Sequence, residues 1–100
     1  MRLFLNEQEI TDGICVYVAN EFNQMPQSIH VVEIGYNEIN GFTAVAKTGM
    51  YDTAYLRTGD IVNGIMQFLN EYHNFNANLM SVELKFDKKH GFSAEVAVNE

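Results

Sequence analysis

With a single cysteine, a single proline and no tryptophan among its 100 residues, the chain is poor in residues that mark several protein classes. One thiol supports no disulfide framework and no cysteine-based metal site, which fits a cytoplasmic protein with a reduced thiol. Long apolar runs are missing too. The longest, ICVYVA, falls far short of the roughly 18 residues of a membrane helix, so no membrane partner is expected. The N-terminus MRLFLNEQEI has too few apolar residues before its charges to serve as a signal peptide. Bases are scarce as well: six Lys and Arg stand against thirteen Asp and Glu, for a formal charge of −7. A surface of that sign repels phosphate backbones, which argues against direct nucleic-acid binding. The acids are spread along the chain, as on a solvated surface; attraction to a basic partner protein is the sharper reading.

What is present is globular in kind. A hydrophobic fraction of 47%, with seven Phe and five Tyr, suffices for one modest core, so residues 1–100 are expected to form a single domain. The chain also resembles itself. Shifted by 51 residues, LNEQEITDGICVYV aligns with LRTGDIVNGIMQFL; shifted by 50, VEIGYNEINGFTA aligns with VELKFDKKHGFSA. Identities such as Ile10/Ile61, Gly13/Gly64, Asn23/Asn74 and Phe42/Phe92 fall in every segment, which is the pattern of a duplicated unit covering roughly residues 2–50 and 53–100.

Each unit reads strand, helix, strand, strand. Ile10, Ile14, Tyr17 and Val18 form an amphipathic helical face, repeated by Ile61, Ile65, Phe68, Leu69 and Tyr72. Asn6 followed by Glu9 is a capping box, and Thr58 with Asp60 is a second start signal. Alternation at Val32, Ile34 and Tyr36, and at Val82, Leu84 and Phe86, predicts strands. Phe42, Ala44 and Ala46, and likewise Phe92, Ala94 and Val96, predict the strands after them, with TGMYD as the turn into a further strand around Tyr55. The second unit lacks that further strand, so the N-terminal Arg2–Leu5 strand is expected to lie beside the C-terminal one. The fold class is α+β: two pseudo-symmetric repeats forming one six-stranded, mainly antiparallel sheet with two helices packed on it.

Four glycines have structural readings. Gly41 and Gly91 precede a strand where a hairpin needs positive φ. Gly13 and Gly64 sit inside helices, where glycine costs about 1 kcal/mol relative to alanine, and a matched pair points to close approach, either between the two helices or between each helix and the sheet.

Catalytic chemistry is hard to find. His30, His73 and His90 have no partner at a metal-ligand spacing. Cys15 aligns with Met66, as a packing residue would. Glu33 and Glu83 align, but a solvated sheet face explains them. No phosphate loop, nucleophile elbow or dinucleotide fingerprint occurs. The chain is read as not an enzyme and as needing no cofactor.

The halves differ on their outward positions. Val31, Gly35, Val45 and Tyr55 in the first correspond to Ser81, Lys85, Glu95 and Phe4 in the second. The more apolar face suggests an interface, with Val31, Val45 and Tyr55 as its candidate residues.

At LNEQEITDGICVYVA and GFSAEVAV the chain resembles the YxcD-like family of small bacterial proteins, over its first two thirds with an echo in the second copy. The shared features are a helix opening with NEQEI, a strand ending in an acidic hairpin, and GFSAEV or GFTA; GFTAVAK departs from the acidic form. The resemblance implies a fold and no activity. An α-β-β-β-α order is also similar to double-stranded RNA-binding domains, but their basic second helix is replaced here by TGDIVNG. The leading functional expectation is a non-enzymatic interaction module that self-associates as a homodimer. An acidic inhibitor or nucleic-acid mimic, and a small-molecule or metal-binding domain, are the alternatives.

Overall fold

A computed structural model of the chain describes residues 1–49 and 52–99. Its elements run β1 (Arg2–Leu5), α1 (Glu7–Phe22), β2 (His30–Asn37), β3 (Gly41–Lys47), β4 (Thr53–Arg57), α2 (Thr58–His73), β5 (Met80–Asp87) and β6 (Gly91–Val98). A short 3-10 turn follows each helix, at Pro26–Ser28 and Ala77–Leu79. The α+β class and antiparallel pairing hold. Met50 and Tyr51, inside the TGMYD turn, lie outside the described residues.

Local chemistry explains the helix ends. Asn6 Oδ1 accepts the Glu9 N–H at 2.9 Å while Glu9 Oε1 accepts the Asn6 N–H at 3.0 Å, closing the capping box. At α2 the Asp60 carboxylate accepts the Arg57 N–H at 3.0 Å, so Arg57 rather than Thr58 precedes the first turn. Thr58 instead ties the helix to β3: its hydroxyl accepts the Phe42 N–H at 2.9 Å and donates to the Phe42 carbonyl at 3.2 Å. Both helices stop at an asparagine in the left-handed region, Asn23 at φ 55° and Asn74 at φ 61°, where asparagine is tolerated best after glycine. Gly41 at φ 71° and Gly91 at φ 79° take the same region in the β2–β3 and β5–β6 hairpins.

The strands form two three-stranded sheets, ordered β1-β6-β5 and β2-β3-β4, in place of the expected single six-stranded sheet. The N-terminal strand does pair with the last one, Arg2 opposite Ala97 through Leu5 opposite Ala94. What fails to form is a hydrogen-bonded ladder joining the two sets. They meet through aromatic side chains: Tyr36 stacks on Phe86 at 5.9 Å and Phe42 meets Phe92 edge-on at 6.2 Å. A bulge between Val31 and Glu33 further breaks the regular edge of β2.

Two helices weld the sheets into one body. α1 contacts β1 and β6 of one sheet and β2 and β3 of the other; α2 contacts β5 on one side and β3 and β4 on the other. A single apolar cluster results, with Ile14, Ile65, Ala46 and Val96 wholly excluded from water. Burying each such isoleucine side chain contributes about 1.5–3 kcal/mol. The helices cross at their inner glycines. A Cβ on Gly64 would lie 2.5 Å from the Gly13 carbonyl oxygen and 3.0 Å from Tyr17 Cβ; one on Gly13 would lie 3.1 Å from the Ile65 backbone.

That contact predicts a matched pair of substitutions in α2. Gly64→Ala should lower stability by about 2 kcal/mol, because backbone cannot yield to the new methyl. Gly59→Ala, with nothing within 4 Å of the added atom, should gain up to about 1 kcal/mol from helix propensity. Urea unfolding of both variants checks the sign of each.

Candidate interaction surface

Alternation decides which side chains leave the core. In β3, Ala44 and Ala46 are buried against the helices, so Thr43, Val45 and Lys47 point outward. Register brings their partners to the same side: Val45 lies between Glu33 and Tyr55, and Thr43 between Gly35 and Arg57. Tyr55 is 77% exposed, and Ile39 at the hairpin turn is 93% exposed. Together with Asn40, Thr43, Val45 and Arg57 they line an open depression of about 520 Å³.

Two of the three residues anticipated for an interface, Val45 and Tyr55, are therefore cross-strand neighbours. Val31 is not with them. It pairs with Ala46 and packs on the core, because the bulge resets the alternation and leaves Val32 exposed instead. Ile39 was missed by sequence reasoning, although its counterpart in the second copy is Lys89, and an isoleucine at a hairpin turn is itself a signal.

The outer face of the other sheet is polar. Glu95 receives the Lys85 ammonium at 2.7 Å and pairs with the Arg2 guanidinium; these two bonds, Lys85 first, hold its carboxyl below the usual range. Lys85 is raised in turn, chiefly by its bond to Glu95. Phe4 stands exposed beside this cluster.

Charge is sorted between layers. The helices hold Glu7, Glu9, Asp12, Glu21, Asp60 and Glu71 and no Lys or Arg. All six bases lie on strands and hairpin turns, where the described residues also hold six acids. The sheet layer is thus neutral and the helix layer carries −6, before any histidine is protonated.

No group of three or more His, Cys, Asp or Glu that could hold a metal occurs among the described residues. His90 Nδ1 lies 2.9 Å from Asp87 Oδ2, and this bond, followed by the Lys89 N–H, lowers the Asp87 carboxyl. His30 and His73 sit at the start of β2 and the end of α2. Cys15 is half-buried, with its sulfur 3.7 Å from the Ile29 carbonyl; burial, and then the Asp12 charge, push its pKa up, the opposite of an activated nucleophile. No described helix is long and apolar enough to cross a membrane.

Tyr17 couples the two helices. Its hydroxyl donates to Asp60 Oδ1 at 2.9 Å, and this bond, with desolvation and nearby negative charge, pushes its pKa up to about 12. The folded state holds that proton more tightly than the unfolded phenol, whose pKa is about 10. The bond's contribution is therefore complete below the unfolded value and is lost as pH rises through the folded one. Tyr17→Phe should cost about 1 kcal/mol at neutral pH, abolish one late step in the ultraviolet titration of tyrosine, and flatten the alkaline loss of stability. Titration of every tyrosine near the ordinary value would contradict the assignment.

Comparison with known proteins adds kinship and no activity. No solved structure matches this chain. The uncharacterised protein YxcD of Bacillus subtilis (strain 168) is 56% identical over 100 residues, an alignment spanning 100% of this chain and 97% of that protein. A family model described as "Protein of unknown function (DUF2653)" matches residues 1–88. By both measures the chain belongs to this YxcD-like family.

Proposed function

We propose that the chain is a cytoplasmic protein-interaction module, acting by binding rather than by catalysis, and that it pairs with a second copy of itself through the outer face of β2–β3–β4. The observation that carries this reading is the depression between Ile39, Val45 and Tyr55 on the neutral layer of a chain whose formal charge is −7. Two such chains repel one another in most orientations. Meeting sheet to sheet turns the acidic helices outward, roughly 30 Å apart if each layer step is about 10 Å, well beyond the screening length of about 10 Å at 0.1 M salt. A twofold contact also sets apolar surface on its own copy and leaves Lys47, Arg57 and Glu33 at its margins to pair across the axis.

Light scattering coupled to size exclusion should give a dimer that persists at high salt. Val45→Lys and Ile39→Lys should each raise the dissociation constant by about tenfold or more, with the far-ultraviolet circular dichroism unchanged because both side chains lie outside the core. Phe4→Ser, on the other sheet, should leave the dimer intact. A monomer at every concentration, or a dimer indifferent to Val45→Lys, would overturn the reading.

A further inference from the structure

The helix side carries a groove of its own, of about 500 Å³, that the sheet-face dimer would leave open. Cys15 and Val16 of α1 lie at its base, Met25 and Pro26 border it from the following turn, and Phe68 and Tyr72 border it from α2. Val16 is 3% exposed and lies outside the central core cluster. Met25 and Tyr72 are more than half exposed, as side chains awaiting a cover would be. Methionine adapts its shape to an apolar partner more readily than branched residues do.

The equivalent positions in the other half of the molecule are more polar. Val16 aligns with Gln67, whose side-chain oxygen accepts from Asn20 Nδ2 at 2.8 Å, and Phe68 aligns with Tyr17, whose hydroxyl is taken by Asp60. The groove is therefore a property of this sequence and not of the fold alone. Its openness argues against a small molecule, which pockets usually enclose over most of its surface. Its surroundings fix the sign of the occupant: Asp12 lines the rim, held by Gln8 at 3.0 Å, and neither helix carries a Lys or Arg.

We propose that this groove docks a basic amphipathic helix of a partner protein. Two or three apolar side chains spaced i, i+3 and i+4 on one face would enter between Met25, Phe68 and Tyr72, the usual arrangement for a helix laid in a groove. Lysine or arginine beside that face would meet Asp12, and the acidic layer would speed the encounter. The site is independent of the dimer contact, which lies on the opposite layer.

The test uses three labelled peptides of about 18 residues, five helical turns. One is an amphipathic Leu–Lys helix, the second replaces every Lys with Glu, and the third scrambles the Leu–Lys order at equal charge. Fluorescence anisotropy should show micromolar binding of the first, no binding of the second and at least about tenfold weaker binding of the third. Met25→Lys and Tyr72→Lys should each weaken the first by a similar factor, with circular dichroism unchanged. Cys15, the chain's single thiol, reports location: saturating Leu–Lys peptide should slow its alkylation by iodoacetamide several-fold. Equal binding of the scrambled peptide, unchanged affinity in both variants, or unprotected Cys15 would each overturn the proposal. Repeating the titration in the Val45→Lys chain keeps this result separate from the fate of the dimer.

Discussion

Everything in this fold hangs on the contact between two helices at Gly13 and Gly64. Each sheet has only three strands, and the element that follows the first strand of each half leaves that sheet for the other. The helices are thus the chief tie between two sheets that no strand pairing joins among the described residues. They can serve that role only if they lie close enough for both to reach both sheets. A carbonyl and a backbone nitrogen occupy the space that side chains would need, so glycine's cost in helix propensity is the condition for a continuous core. Ile14 and Ile65, adjacent to the two glycines, are consequently wholly excluded from water.

Charge follows the same division of labour. The strands carry bases among their outward residues and neutralise their acids locally, as Arg2 and Lys85 do at Glu95. The helices carry acids and no Lys or Arg, with His73 at the end of α2. Asp60 serves as the capping carboxylate of α2 and also receives Tyr17, while Glu9 completes the box at Asn6, so part of the acidity is structural. Glu7 in the first turn of α1 favours the helix start, while Asp12 lies beyond it and adds to the field of the whole layer.

Much of the architecture was legible because it rests on local rules. Period-two alternation marked Val45 and Tyr55 as outward neighbours, and paired glycines marked the hairpin turns and a close approach of the helices, whose partner, helix or sheet, only the structure decides. The closure of Arg2–Leu5 onto the last strand followed from counting strands in each half. Val31 was misplaced because one extra residue in a bulge reverses the facing of what precedes it, and no composition signal announces a bulge. The division into two sheets was illegible for a different reason: whether two edges meet through backbone or through rings depends on the global placement of Tyr36 and Phe86. The helix-side groove escaped notice because its walls come from three separated segments. The absence of Lys and Arg from both helices, by contrast, could have been read directly once the helices were drawn.

The pairing of the first strand with the last also governs when the molecule can exist. Val98 donates its N–H to the Met1 carbonyl at 2.8 Å, and the Met1 amine donates back to the Val98 carbonyl at 3.0 Å. Of the eight helices and strands β1 is made first and its partner β6 last, so that sheet stays incomplete until Val98 has been added. The β2–β3–β4 sheet meanwhile has all its strands as soon as Arg57 is clear. The earlier sheet is thus the scaffold on which the later one is finished, and a nascent chain that stopped before Gly91 would leave β1 without its pairing strand.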